Sequence, residues 1–337
     1  MKNKKLLGAI IGILILLGGY FIGAQSNKKD NGYSNKENKQ IRVGVLQLLS
    51  HDALDTIYKG FREEMERLGY KDGNNVSIQL QNAQGDQSNL ATMSEKLNQE
   101  TDILVGITTA SSVSLAKATN SKPIILAGVS YPVQSGLMKS EQSSENNVTG
   151  VAHRTPIQEQ FNIMLQVMPN LKKIGFIYTA NEDNAVLQIE EAKLVAEKLG
   201  LTIELASITN TNDLQQVSEN LMTKQVDAVF LPVDNTIASA MPTIINVTDK
   251  FNVPVFPSAE TMVADGGVLS MGVNQYNIGV ETAKIVDKII KGEHPQNIPL
   301  YIPAGDELYI NEKKAQQLHI TIPKALKDRA KIIHGKQ

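Results

Sequence analysis

The sequence states one structural unit twice, and that repetition limits the folds open to it. The run IRVGVLQ (Ile41–Gln47) is answered by KKIGFIY (Lys172–Tyr178), which places Gly175 at Gly44 + 131. The helix end Leu68-Gly69 recurs as Leu199-Gly200, and Lys122-Pro123-Ile124-Ile125 as Val253-Pro254-Val255-Phe256, both again at 131. TDILVGI (Thr101–Ile107) returns as VDAVFLP (Val226–Pro232) at 125, and Gly150-Val151 as Gly272-Val273 at 122. The order is kept and the drifts fall at loops. Between these landmarks, short β-branched runs alternate with segments of helical period. Ala53, Leu54, Ile57, Tyr58, Phe61, Met65 and Leu68 share one helical face, and Gly69 supplies a stop. VSIQLQ (Val76–Gln81) and DILVGI (Asp102–Ile107) read as strands on either side of a helix over Asp86–Gln99. Strand–helix–strand alternation predicts a parallel sheet with helices on its faces. Written twice, it predicts an α/β protein of two duplicated, Rossmann-like lobes.

A chain of 337 residues has room for two such lobes. It contains no Cys, which excludes disulfide frameworks, thiolate-bound metals, iron–sulfur clusters and thiol catalysis. Residues 1–40 hold seven Lys and two acids, so residues 41–337 carry 26 basic against 33 acidic side chains. A body with that balance is not built for a phosphate backbone, and no nucleic-acid partner is expected. There is no nucleophile elbow, phosphate loop, dinucleotide glycine fingerprint or metal-binding His pair. Neither an enzyme activity, a cofactor nor a metal site is expected.

Lys2, Lys4 and Lys5 precede nineteen uncharged residues, Leu6–Ala24. That length reaches across a bilayer and exceeds the usual apolar region of a signal peptide. The positive flank stays inside, so the body faces outward. The polar run Gln25–Gln40 reads as a flexible tether. The expectation is a signal anchor or transmembrane helix over 1–24 and a linker over 25–40, with the body at the extracytoplasmic face of the cell membrane. A signal peptide cleaved after Ile22-Gly23-Ala24, with secretion, is the alternative.

Open α/β sheets bind ligands at the carboxyl ends of their strands. In the first half those ends offer Gln47–His51, Thr108–Ser112 and Gly128–Tyr131; in the second, Thr179–Asn184, Asp234–Thr236 and Ser258–Thr261. The repeat matches Ser130 with Thr261 and Thr109 with Asp234, and in the second match equivalent places carry a hydroxyl in one lobe and a carboxylate in the other. Hydroxyls and free amides at a helix start favour an anion. A partly buried carboxylate favours an ammonium. A ligand with one negative and one positive end suits both. The candidate ligand-binding residues are His51, Thr109, Ala110, Ser111, Ser112, Ser130, Tyr131, Asn184, Asp234, Asn235, Glu260 and Asn274. Several have a plainer reading beside the functional one. Thr109–Ser112 and Asp234-Asn235 are good helix caps. Tyr131, before Pro132, either lines the pocket or packs on its loop, and Glu260 follows a strand as exposed Glu commonly does. Asn184 and Asn274 are turn or hinge residues first.

Four stretches carry a resemblance: His51-Asp52-Ala53-Leu54-Asp55, Gln81-Asn82-Ala83-Gln84-Gly85-Asp86, Asn147-Val148-Thr149-Gly150-Val151, and Val233–Ala240 (VDNTIASA). Together they make the chain similar to the type I substrate-binding proteins of ABC importers (the type I periplasmic-binding-protein fold), in particular the branch that binds aromatic amino acids, chiefly tryptophan. The resemblance covers roughly residues 41–330. It departs from the pattern in lacking a lipobox Cys and in Pro242, where a kink or restart of the helix is expected. It implies a hinge of three crossings, near Ala152–Thr155, Asn274–Tyr276 and Pro303–Asp306. Lobe 1 then comprises 41–152 plus 276–303, and lobe 2 comprises 153–275 plus 304–330. It also implies capture of a free L-amino acid, tryptophan first, between closing lobes, and delivery to an ABC permease with its ATPase. A sensory ectodomain, or a binder of a branched-chain amino acid or sugar, is the alternative.

Overall fold

The computed structural model of the protein describes residues 40–335; the expected anchor over 1–24, and all of the linker but Gln40, lie outside the described residues. Among the described residues no helix is long and apolar enough to cross a membrane.

Five strands, β1 (Ile41–Gln47), β2 (Val76–Asn82), β3 (Ile103–Ile107), β4 (Ile124–Val129) and β5 (Val148–Ala152), form one sheet in the order β2-β1-β3-β4-β5. Every neighbouring pair is parallel. The second half builds β6 (Lys173–Thr179), β7 (Thr202–Ile208), β8 (Ala228–Leu231) and β9 (Val255–Pro257) into a parallel sheet of order β7-β6-β8-β9. The two orders are the same through four strands, as the repeat requires. Successive side chains of a strand point to opposite faces. Val43 and Val45 accordingly join one core with Leu54, Ile57 and Phe61, while Leu46 joins another with Leu90, Leu97 and Leu115.

The repeated residues have repeated tasks. A Cβ on Gly44 would stand 2.8 Å from Thr101 Oγ1, and one on Gly175 2.7 Å from Leu221 Cδ2. In both lobes the missing side chain lets the next segment approach the first strand. Asp102 accepts from the Arg42 amide and guanidinium, and Asp227 accepts from the Lys172 and Lys173 amides. Each carboxylate ties the entry of its central strand.

The hydrophobic cores locate the passages between sheets. Ala152 packs in the first core system and Ile157 in the second; Met271 belongs to the second and Val273 to the first; Leu300 belongs to the first and Leu308 to the second. The chain therefore passes between the sheets three times. After the second passage, the helix Gln275–Ile290 packs on Asp52–Arg67 at backbone contact. A Cβ on Gly279 would lie 2.0 Å from the Ile57 carbonyl oxygen, and one on Gly60 2.2 Å from that of Tyr276.

The second core centres on Phe161, Phe176 and Phe230, whose ring centroids are 5.1 to 6.2 Å apart in edge-on and tilted contacts. Beside it lies a three-stranded sheet, β10 (Leu269–Gly272), β11 (Glu307–Ile310) and β12 (Lys331–Ile332), antiparallel and then parallel. At Pro242 the expected restart is found. The helix Asn235–Ser239 ends at Ala240 (φ −122°, ψ 21°) and a new one, Met241–Lys250, begins with the proline in its first turn.

Candidate functional site

The first wall of the cleft begins where β3 enters the helix Thr108–Ala118 with no loop between them. The turn falls on Thr108, which is held at φ 70°. For a β-branched residue that left-handed conformation is a strained one. Ile107, at the helix cap, supplies no side-chain acceptor to the first amides. Thr108 Oγ1 and Ser111 Oγ are buried without a hydrogen-bond partner. Thr109 is buried beside them. Ser112 is satisfied internally, its hydroxyl reaching the Gly106 and Thr108 carbonyls at 3.0 and 2.8 Å. A strained start, free amides and unsatisfied hydroxyls leave unused donor capacity, which suits an anion.

The second wall holds carboxylates. Asp234 caps the helix Asn235–Ser239, accepting from the Ile237 amide at 2.9 Å, the Thr179 amide at 2.6 Å and the Thr179 hydroxyl at 2.9 Å. Burial, together with the nearby Glu182 charge, pushes its carboxyl above the usual range. Glu182 is buried and accepts from the amides and side chains of Asn235 and Thr236 at 2.6 to 3.0 Å. Glu260 is buried and accepts from the Gln275 amide at 2.8 Å, and burial raises its carboxyl as well. None of the ion pairs among the described residues gives Asp234, Glu182 or Glu260 a Lys or Arg partner. Three buried carboxylates thus rest on neutral donors alone, in a region where a cation is favoured.

The walls meet. His51 Nε2 comes within 3.5 Å of Asn235 Oδ1, and the Tyr131 hydroxyl donates to Glu191 at 2.7 Å. Burial lowers the His51 imidazole below its ordinary value. Between the walls a cavity of about 20 Å³ is lined on its polar side by His51, Thr108, His153, Asp234, Asn235, Thr261 and Gln275. It is otherwise apolar, with Leu54, Ile57 and Met262 among its lining. That volume holds about one water, so entry of anything larger requires the lobes to part. Farther out, a cleft of about 240 Å³ lies between Thr109 and Ala110 on one side and Glu182 and Asn184 on the other.

Of the residues expected from sequence, His51, Asp234 and Asn235 line the inner cavity, and Thr109, Ala110 and Asn184 the outer cleft. Ser111, Ser112, Ser130 and Glu260 are buried behind these surfaces. Tyr131 bridges the lobes to Glu191 and is not in the lining of either space. Asn274 caps its own helix by accepting from the Asn277 amide, and lines a separate hollow with Tyr301 and Pro303. Asn184 is partly spent on structure, donating to the Val233 carbonyl at 2.7 Å. Thr108, Glu182, His153, Thr261 and Gln275 were not among the expected site residues. The repeat that pairs Thr261 with Ser130 is the signal that reaches Thr261. Nothing local marks His153 or Gln275, which meet only because two crossings run side by side. Among the described residues no cluster of His, Asp and Glu forms a metal site.

Comparison with known proteins agrees with this architecture. A family model described as ABC transporter substrate binding protein matches residues 42–333. A solved Streptococcus pneumoniae structure, an ABC domain in complex with L-Trp, is 39% identical, covers 87% of this chain and 99% of its own, and superposes with a TM-score of 0.84. The tyrosine-binding protein of Clostridioides difficile (strain R20291) is 30% identical over 322 residues, 94% of this chain and 93% of that protein. A ligand-free, open substrate-binding protein with adhesive properties from Clostridium difficile is 28% identical, covers 88% of this chain and 100% of its own, with a TM-score of 0.68. The family match spans nearly all of the described residues, and the chain belongs to the ABC transporter substrate-binding proteins, which bind their ligands without transforming them.

Proposed function

We propose that the protein is the extracytoplasmic binding component of an ABC importer, capturing a free L-amino acid with an aromatic side chain, tryptophan or tyrosine. One observation carries this reading: one cleft wall holds unpartnered buried donors, and the other holds buried carboxylates bonded to neutral donors alone. Thr108 Oγ1 and the uncapped amides suit a carboxylate, while Asp234 and Glu182, which line the inner cavity and the outer cleft and are buried without a Lys or Arg partner among the described residues, suit an ammonium. An α-amino acid carries both groups on one carbon. The apolar lining of the inner cavity, Leu54, Ile57 and Met262, suits an aromatic ring once the lobes part enough to admit it, and burial of 150–250 Å² contributes roughly 4–6 kcal/mol at about 25 cal/mol per Å². Two of the relatives named above, one in complex with L-Trp and one a tyrosine-binding protein, support the aromatic class.

Two bonds across the cleft, His51 to Asn235 and Tyr131 to Glu191, support a closing motion. So does the better superposition on the ligand-bound relative than on the ligand-free, open one. Ligand contacts to both walls exist only when the lobes meet, so binding selects the closed population. The permease subunits of the transporter then receive the ligand. The apolar stretch Leu6–Ala24 is proposed to hold the body at the outer face of the membrane; N-terminal sequencing of membrane-derived protein beginning near Gln25 would refute an uncleaved anchor. Calorimetric titration with the twenty amino acids and common sugars tests the ligand class. Because the chain has no Trp, any indole fluorescence change on adding tryptophan comes from the ligand. Tight binding of leucine or a sugar, with no aromatic amino acid bound, overturns the assignment.

A further inference from the structure

Three side-chain atoms with no hydrogen-bond partner belong to residues lining the inner cavity: Thr108 Oγ1, His153 Nδ1 and Thr261 Oγ1. Thr108 belongs to the carboxylate wall. The other two are left over once the dipolar end of an amino acid is placed, and buried polar groups without partners are rare enough to need a reason. His153 follows β5 at the first crossing and Gln275 follows the second, so the pair sits where the lobes join.

The surroundings of Gln275 determine which His153 nitrogen carries the proton. The Gln275 amide nitrogen is 2.9 Å from His153 Nε2, 3.3 Å from Glu260 Oε2 and 3.4 Å from the Val273 carbonyl oxygen. A carboxylate and a carbonyl only accept, so the NH₂ side of the amide faces them; the reverse orientation would set its oxygen against Glu260. An amide NH₂ has no acceptor capacity, so His153 Nε2 is the acceptor. In a neutral imidazole the proton is then on Nδ1. Full burial lowers His153 to about 4, which keeps the ring neutral at physiological pH. His153 therefore carries a buried, unpartnered N–H and Thr261 an unpartnered hydroxyl, and both residues line the inner cavity.

We infer that His153 and Thr261 form the subsite that reads the ligand side chain, and that it selects a phenolic hydroxyl over an indole or a plain phenyl ring. The inference rests on the amino-acid reading above. A phenol oxygen accepts from His153 Nδ1–H while its own proton goes to Thr261 Oγ1, so both groups are satisfied. An indole N–H serves Thr261 but leaves the His153 donor unpaired. A phenyl ring leaves both unpaired. A site with a buried donor discriminates strongly against an analogue that cannot accept from it.

Calorimetric titration of the full chain with L-tyrosine, L-tryptophan and L-phenylalanine tests this. Wild-type protein is expected to bind tyrosine at least about tenfold more tightly than phenylalanine, with tryptophan weaker than tyrosine. His153→Leu is expected to bring the tyrosine-to-phenylalanine ratio below about threefold, and His153→Asn, which keeps an N–H near the Nδ1 position, to restore most of it. Thr261→Val is expected to weaken tyrosine severalfold and leave phenylalanine nearly unchanged. A purely structural role for His153 would lower both affinities together and leave their ratio intact, which overturns the inference. Equal wild-type affinities for tyrosine and phenylalanine also overturn it, whether or not any variant folds, while leaving the aromatic reading standing. Failure of all three amino acids to bind wild type overturns both.

Discussion

Thr108→Gly separates strain held for ligand binding from strain the fold requires. Thr108 sits at φ 70° with its hydroxyl buried and unpartnered. Glycine removes a left-handed penalty of about 1–2 kcal/mol. It also removes an unsatisfied buried hydroxyl, worth about 1–3 kcal/mol. Against these stand about 0.5–1 kcal/mol of added chain entropy in the unfolded state and roughly 1.6 kcal/mol for two buried carbons. The terms leave about 1 kcal/mol of net stabilisation, or a rise in Tm of about 1–2 °C for a body of this size. Affinity moves the other way. Loss of a hydroxyl donor to a carboxylate weakens binding about tenfold or more. Denaturant unfolding followed by circular dichroism measures the first effect, and calorimetry with the amino acid that wild type binds best measures the second. Thr108→Ser, which keeps the hydroxyl and most of the strain, is the control and should bind nearly as wild type does. If Thr108→Gly lost more than about 1 kcal/mol of stability, or left affinity within twofold, the strain would not be serving the site.

The neighbouring wall and the hinge give further tests. Asp234→Ala orphans three donors and is expected to lower stability by roughly 2–4 kcal/mol in chemical unfolding; Asp234→Asn keeps part of the cap but removes the charge, so affinity should fall more than stability. His153 is buried neutral with its value lowered to about 4 from the usual 6.5, so the unfolded chain takes up a proton first as pH falls. Its contribution, roughly 3 kcal/mol, is complete above about pH 6.5 and lost as pH falls towards 4. The stability difference between wild type and His153→Asn should follow that window, and a difference flat from pH 7 to 4 would refute it. Gly279→Ala would place a methyl 2.0 Å from the Ile57 carbonyl oxygen and is expected to cost about 2–3 kcal/mol, because backbone on both sides leaves it nowhere to go; an unchanged Tm would mean the helices are free to separate. Tyr131→Phe removes the bond to Glu191 across the cleft, and small-angle scattering should show a larger radius without ligand, with a closed population lower by a few fold.

The duplicated sequence was enough to determine the two sheets. Local period decides which face of Asp52–Arg67 is apolar, the unbroken apolar run marks Val43–Leu46 as buried on both faces, and the recurrence of Gly44 as Gly175 marks the same close approach in both lobes. The hydroxyl loop at Thr109 and the cap at Asp234 were legible for the same reason: strand ends and helix starts are local events. What chain order could not carry is the pairing of distant segments. Tyr131 offers its hydroxyl to Glu191 because the lobes face each other, and Glu182 reaches Asn235 across 53 residues. Thr108 looks like any threonine until β3 is forced straight into a helix. His153 and Gln275, 122 positions apart, share a hydrogen bond because two crossings run together. The unpartnered N–H of His153 exists only in that company. Local pattern is set by neighbours along the chain, so the sequence alone determined the lobes and the polarity of their facing ends. The donors and acceptors left unsatisfied in the cleft depend on which groups burial brings together, and only the tertiary structure decided those.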